Sequence, residues 1–445
     1  MRNLKILGSA ILLAGLFLLN ACSKTEFLPD PEGAQVPYQN DATQTVDELL
    51  AVSPAKLYYS AWQKSNIKNI IKQKSNKAVF TVFVPSDAAM QAAGLTASAI
   101  SQMPLAELDS LVMFYTTLGY ITKDELKLRS DNFIVKTLLG HPGLYLPYYE
   151  GNSKGTNGYD DYYYKHYVAI KGDDLLMNGK NVGKANYLPA TNGGIYLMDK
   201  TVPVPSKTML EALKADGRFT IFLESQRLTD EMFLAKISSD IENLFGIVLS
   251  DEDIMRDYAW NRLFYQKDWG INPPIYAGYI GPNLTISTLF APTDEAFHKA
   301  GFQTAADVVD FNKRSEASVF FDENIYQAAG GYPMDTVYSY HRNWGRIVQT
   351  TSPNGDKAVP NATVFYSNVL NPALNNYLVN TGGNVTLEYS YKMPLEFSVN
   401  NNSPQLKVKN SEYPAATVVD GDINTLNGPI HVVDRLLFPK GFKLK

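Results

Sequence analysis

The chain has 445 residues, 45% of them hydrophobic and 19% charged, with 40 basic and 45 acidic side chains. That is enough chain for two or three domains with full cores, and the composition excludes a disordered polyelectrolyte. A formal charge of −5, with neither a basic stripe nor a basic-aromatic alternation, argues against a nucleic-acid partner.

The chain opens on Arg2 and Lys5, followed by an apolar run from Ile6 to Leu19. That run is too short to span a bilayer and has the layout of a secretory signal, residues 1–21. Cys22, the only cysteine, stands directly after Leu19-Asn20-Ala21. A lone thiol in an exported chain has no internal disulfide partner, and its placement reads as the lipid-acceptor cysteine of a bacterial lipoprotein. Loss of Arg2 and Lys5 leaves 38 basic against 45 acidic residues, a balance of −7. Residues 22–44, rich in Pro, Gly and Gln, read as a flexible tether. The expected location is the outer membrane, held through the lipid alone and facing the exterior.

Ser53-Pro54 marks a helix start, and Leu57, Tyr58, Ala61 and Trp62 recur at helical spacing, which makes Trp62 a core residue. Thr81-Val82-Phe83-Val84-Pro85-Ser86-Asp87 then reads as a buried strand turning directly into a helix. Pro85 stops the ladder, Ser86 caps the first turn, and Asp87 lies against the positive end of the helix dipole. Leu105, Leu108, Leu111, Val112 and Tyr115 form a further apolar face. From Leu144 to Val168 the chain is crowded with tyrosine, including Tyr148, Tyr149, Tyr162, Tyr163 and Tyr164 around Gly151 to Gly155, and reads as a hairpin with aromatic arms. A tyrosine face with a hydroxyl suits stacking on sugars or anchoring a protein; the alternative is cross-strand pairing that covers a sheet. Asn192-Gly193-Gly194-Ile195-Tyr196-Leu197-Met198-Asp199-Lys200 closes this part as a strand leaving a tight corner, and Asp199-Lys200 marks where it meets water.

Pro203 to Pro205 is a boundary, after which Ser206 or Thr208 caps a short helix through Leu210 and Leu213, ended by Gly217. The motifs then return in the same order. Thr288-Leu289-Phe290-Ala291-Pro292-Thr293-Asp294 repeats the strand-to-helix turn, and Asn427-Gly428-Pro429-Ile430-His431-Val432-Val433-Asp434-Arg435 repeats the closing strand. In each half these are the two most continuously apolar strands, which predicts that they are neighbours with Phe83 and Phe290 in equivalent buried sites, in two distinct cores. An extra block, Asp230 to Pro282, carries Trp260 and Trp269, and the two motifs lie 135 residues apart here against 107 in the first half. Insertions of this size belong to loops, where binding resides.

Two motifs repeated in this order resemble the fasciclin (FAS1) domain, over both halves of the chain. The resemblance implies an α+β fold of two tandem fasciclin-like domains, residues 45–204 and 205–441, each a β-sandwich wedge with packed helices and used outside the cell for adhesion or ligand binding. Tyr340-His341 matches a further family motif, replaced in the first half by Phe114-Tyr115. Asp422-Ile423 stands where animal members carry an Asp-Ile implicated in integrin contact, and is a candidate contact loop.

The five histidines show no metal-ligand spacing, and Asp420-Gly421-Asp422-Ile423-Asn424 lacks the glycine and the bidentate Glu of a calcium loop. His341 and His431 read as hydrogen-bonded framework. Neither a nucleophile elbow nor a phosphate loop is present, so the expectation is a non-enzymatic surface adhesion lipoprotein without metal or cofactor, taking a protein or polysaccharide ligand. The alternative is an accessory glycan-binding lipoprotein beside an outer-membrane polysaccharide uptake system.

Overall fold

The computed structural model describes residues 42–74, 78–147, 159–258, 270–271, 282–284, 286–314, 319–341, 364–376, 378–380 and 390–444. Strands of the first half are β1 (Phe80–Pro85), β2 (Thr116–Leu118), β3 (Phe133–Pro147), β4 (Tyr159–Lys171), β5 (Asp174–Met177), β6 (Lys180–Lys184), β7 (Asn186–Ala190) and β8 (Gly193–Met198). They form one sheet in the order β6-β5-β4-β3-β2-β1-β8-β7. β1 lies parallel to β8 and antiparallel to β2, so it is an inner strand. That position explains a run of six buried residues without polar alternation.

The second half contributes β9 (Leu289–Pro292), the hairpin β10 (Phe320–Asp322) and β11 (Gln327–Ala329), a pair β12 (Leu378–Asn380) and β13 (Ser390–Lys392), and β14 (Leu395–Asn400), β15 (Ser403–Val408), β16 (Ala416–Thr425) and β17 (Gly428–Val433). The last four and β9 form a sheet in the order β14-β15-β16-β17-β9, with β17 parallel to β9. The unit β7-β8-β1 therefore recurs as β16-β17-β9. The mixture of helices and sheets is the expected α+β class, and the expected pairing of the motif strands is present in both halves. The tyrosine-rich segment is a hairpin of β3 and β4.

A helix unread in the sequence opens the first half. Val46–Val52 starts at Thr45, whose side chain accepts from the Glu48 amide while Glu48 reaches back to the Thr45 amide. The same box, Thr208 with Glu211, starts Met209–Ala215. Such reciprocal capping satisfies amides that the first turn leaves free. The expected start at Ser53-Pro54 moves two residues on, to a helix Lys56–Lys64 whose cap is Ala55. Phe219 precedes a 26-residue helix, Thr220–Phe245, ended by Gly246 in the left-handed region.

The cores are less separate than expected. One cluster takes in Trp62, Phe83, Tyr162, Val168 and Tyr196 of the first half together with Leu284, Ile286, Val364, Tyr366 and Leu426 of the second. The second half adds a cluster on each face of β9, with Leu289 and Ala291 in one and Phe290 in the other, and a fourth cluster between the long helix and β10–β11. Residues Ala42–Lys445 make up one compact unit. The merging follows from an apolar seam, since Tyr366 of the second half is buried with its ring 5.1 Å from the Tyr167 ring of the first.

Candidate functional site

The motif residues are the points where each half is tied. The Asn192 side-chain oxygen accepts the Val46 amide at 2.9 Å, and Asn427 accepts the Met209 amide at 2.8 Å. Both amides sit just after a helix cap, where no backbone partner exists. Gly193 and Gly428 pass so close to the preceding motif strand that a Cβ would lie 1.7 Å from the Phe80 carbonyl oxygen and 1.9 Å from that of Ser287. The Asp87 carboxylate takes the Leu57 amide at 2.8 Å and Asp294 takes the Ile221 amide at 2.7 Å, so each holds a neighbouring helix in addition to favouring its own. Pro85 and Pro292 are the buried last residues of β1 and β9. Phe83 stacks on Tyr196 at 5.3 Å and Phe290 on His431 at 5.5 Å, and both phenylalanines are fully buried. Asp199 is exposed, whereas Asp434 is half-buried and accepts the Thr417 amide at 2.7 Å.

His341, His431 and His166 are buried parts of the framework. His341 Nε2 accepts the Leu437 amide at 2.9 Å, so the ring proton is on Nδ1, which donates to the Phe290 carbonyl at 2.7 Å. Burial pushes its pKa down to about 4. His431 accepts the Asp422 amide at 3.4 Å and donates to the Phe365 carbonyl at 2.8 Å, and burial lowers its pKa despite the Asp422 carboxylate at 4.0 Å. The role of His341 is not missing from the first half, as the replacement by Phe114-Tyr115 suggested. Tyr115 Oη accepts the Val202 amide at 3.0 Å and donates to its carbonyl at 2.9 Å, and burial raises its pKa to about 12. His166 was without a role in the sequence, because nothing in a run of tyrosines marks it as inward. It is fully buried, donates from Nε2 to the Phe114 carbonyl at 2.8 Å, and has its pKa pushed down to about 4 by burial.

The expected contact residues are placed differently. Tyr162 and Tyr164 are 4% and 8% exposed, which corrects their reading as ligand contacts. On a strand they share one face, and that face is the core side; Tyr162 donates to the Leu426 carbonyl at 2.6 Å across the seam. Tyr163, on the other face, is half-buried with the Lys136 ammonium 4.1 Å from its ring centre. Asp422 is also no exposed contact. It sits in a bulge of β16 at φ 60°, its carboxylate accepts the Ser367 amide at 2.7 Å and the Ser367 hydroxyl, and it leaves no room for a Cβ on Gly179 of the first half. Ile423 is half-buried against the second-half core. Tyr148, Tyr149, Trp260, Trp269 and Cys22 lie outside the described residues.

Around Asp422 the halves are joined by polar contacts as well. Asn132 and Asn368 exchange side-chain hydrogen bonds at 3.3 and 2.7 Å. Tyr145 donates its amide to the Pro282 carbonyl and accepts from the Leu284 amide, both at 3.0 Å. Among the described residues no cluster of His, Cys, Asp or Glu has the arrangement to hold a metal ion, and no helix is long and apolar enough to cross a membrane.

Residues 54–205 match the family model described as the Fasciclin domain. A solved FAS1 domain pair from the insect cell adhesion molecule Fasciclin I is similar at 12% identity over 87% of this chain and 97% of that one, with a TM-score of 0.26. No curated protein matches. The matched segment contains the ties of Leu57 with Asp87 and of Tyr115 with Val202 whole, and Asn192 of the tie to Val46.

Proposed function

Because the chain carries a fasciclin domain over residues 54–205, an adhesion-type and generally non-enzymatic domain, we propose that it is a cell-surface adhesion lipoprotein in which residues 205–441 form a second domain of the same kind. The observation that carries the reading is the recurrence of that domain's ties in the second half, Asn192 and Asp87 answered by Asn427 and Asp294. Cys22 is the lipid-bearing residue of this reading, and residues 22–44 are its tether to the outer membrane. The adhesive surface is then exterior, and its ligand is a protein.

Cells expressing the full chain should aggregate, and the protein should fractionate with the membrane. Cys22→Ala should release it and abolish aggregation. Aggregation unaffected by Cys22→Ala, or a variant that stays in the membrane pellet through a salt wash, contradicts the reading.

The glycan-binding reading keeps some support in Tyr163, which faces away from the core beside Lys136. Calorimetric titration with polysaccharides separates the two: saturable binding lost in Tyr163→Ala favours glycan.

A further inference from the structure

The second half carries an apolar surface that none of the ties above uses. Where the helix Thr220–Phe245 ends, Phe245, Ile247 and Val248 remain 39%, 51% and 74% exposed. At the turn of the β10–β11 hairpin, Ile325 and Tyr326 are 63% and 58% exposed. The two groups meet, since the Phe245 and Tyr326 rings stack at 5.9 Å and 20°, each edge-on to the buried ring of Phe321. Single exposed apolar residues are ordinary, but a joined group on two elements marks an interaction surface.

The backbone supplies a second observation. Tyr326 has φ 50°, in the left-handed region where hairpin turns favour Gly or Asn. A bulky residue there is strained. A ring more than half exposed does not recover that cost from the core, so the strain is consistent with a side chain retained for what lies outside the fold.

Charge sets the partner. Residues 240–257 hold six acidic side chains against one basic, and the hairpin adds Asp322 and Glu323 with no base. Glu242, Asp251, Glu252 and Glu323 are exposed. An acidic rim repels phosphate-bearing surfaces and selects a cationic partner.

We propose that this face docks a basic amphipathic segment of a partner protein, its apolar side chains on Phe245, Tyr326, Ile325 and Val248 and its Lys or Arg residues on the acidic rim. The proposal rests on the adhesion reading and narrows it to one face and one partner chemistry. The test is fluorescence anisotropy of the full chain with a synthetic Leu/Lys amphipathic peptide and with its Leu/Glu counterpart. The Leu/Lys peptide should bind, Tyr326→Gly should weaken it by about tenfold, and Glu252→Lys with Glu323→Lys should do the same. The Leu/Glu peptide should not bind. Tyr326→Gly also relieves the backbone, so it should melt no lower than the wild type; if it does melt lower, Val248→Ser reads the same face. Equal binding of the wild type and both variants, or of both peptides, overturns the proposal. Self-association of the wild type in sedimentation that Tyr326→Gly abolishes would make a second copy the occupant and overturns it too. Aggregation of cells carrying Tyr326→Gly as strongly as wild type, with the peptide unbound, would leave the adhesion reading standing and this face excluded from it.

Discussion

Tyr115 and His341 do the same work in the two halves with different chemistry: the phenol oxygen accepts the Val202 amide at 3.0 Å, and the imidazole Nε2 accepts the Leu437 amide at 2.9 Å. Val202 and Leu437 each follow their motif aspartate, Asp199 and Asp434, by three residues. Both amides lie in buried residues. Tyr115→Phe should therefore strand the buried Val202 amide and take the donor from its carbonyl, and His341→Phe should do the same to the Leu437 amide and the Phe290 carbonyl, each at a cost of about 1–3 kcal/mol. Urea unfolding measures both. No loss in either variant would remove the tie from the account.

The buried histidines give a pH dependence of fixed sign. His166 and His341 have folded pKa values near about 4, below the value of about 6.5 they take when unfolded. The unfolded chain thus binds more protons between these limits, so stability is complete above pH 6.5 and falls as pH drops toward 4, by roughly 3 kcal/mol for each group. His431 acts in the same direction. Carboxylates with lowered pKa, such as Glu48 and Asp307, add their loss only at lower pH. Unfolding free energy between pH 6.5 and 5 isolates the histidines, and a flat profile there would contradict their burial as neutral rings.

Gly193→Ala and Gly428→Ala should each destabilise by about 3 kcal/mol, because both positions combine a positive φ with a Cβ driven into a backbone carbonyl. Gly94→Ala serves as a control with positive φ but open space, and should cost less. Equal effects at all three would assign the cost to φ alone.

The seam makes a prediction about cooperativity. Phe83→Ala and Phe290→Ala should each cost about 3–5 kcal/mol. Tyr366 belongs to the second half in sequence, yet it packs in the first core and bonds Asn424 across to β16. In calorimetry Tyr366→Ala should lower the transition that Phe83→Ala lowers. A shift confined to the transition moved by Phe290→Ala would mean that the seam carries no stability.

Much of this frame was legible because the motif strands are buried on both faces, and such a strand advertises itself by continuous apolar character. Asn192 and Gly193 likewise announce a corner that few residues can make. The tyrosine hairpin was not legible in the same way. Tyr162, Tyr163 and Tyr164 alternate faces, but three identical residues give no sign of which face is inward. Asp422 was misread because a bulge turns a polar residue into the seam, and a bulge has no pattern in the strand's own sequence. The helix Val46–Val52 did carry a signal, the Thr45 to Glu48 capping box, masked by the polar stretch before it. Tyr326 shows only as a surface aromatic until its φ is known.

The central claim, that one set of ties is built twice, is tested most directly by amide hydrogen exchange of the full chain at three pairs: Val46 with Met209, Leu57 with Ile221, and Val202 with Leu437. The account predicts that both members of each pair are protected, and that Asp87→Ala speeds exchange at Leu57 while Asp294→Ala speeds it at Ile221. Protection of the first-half members with free exchange at Met209, Ile221 and Leu437 would contradict it.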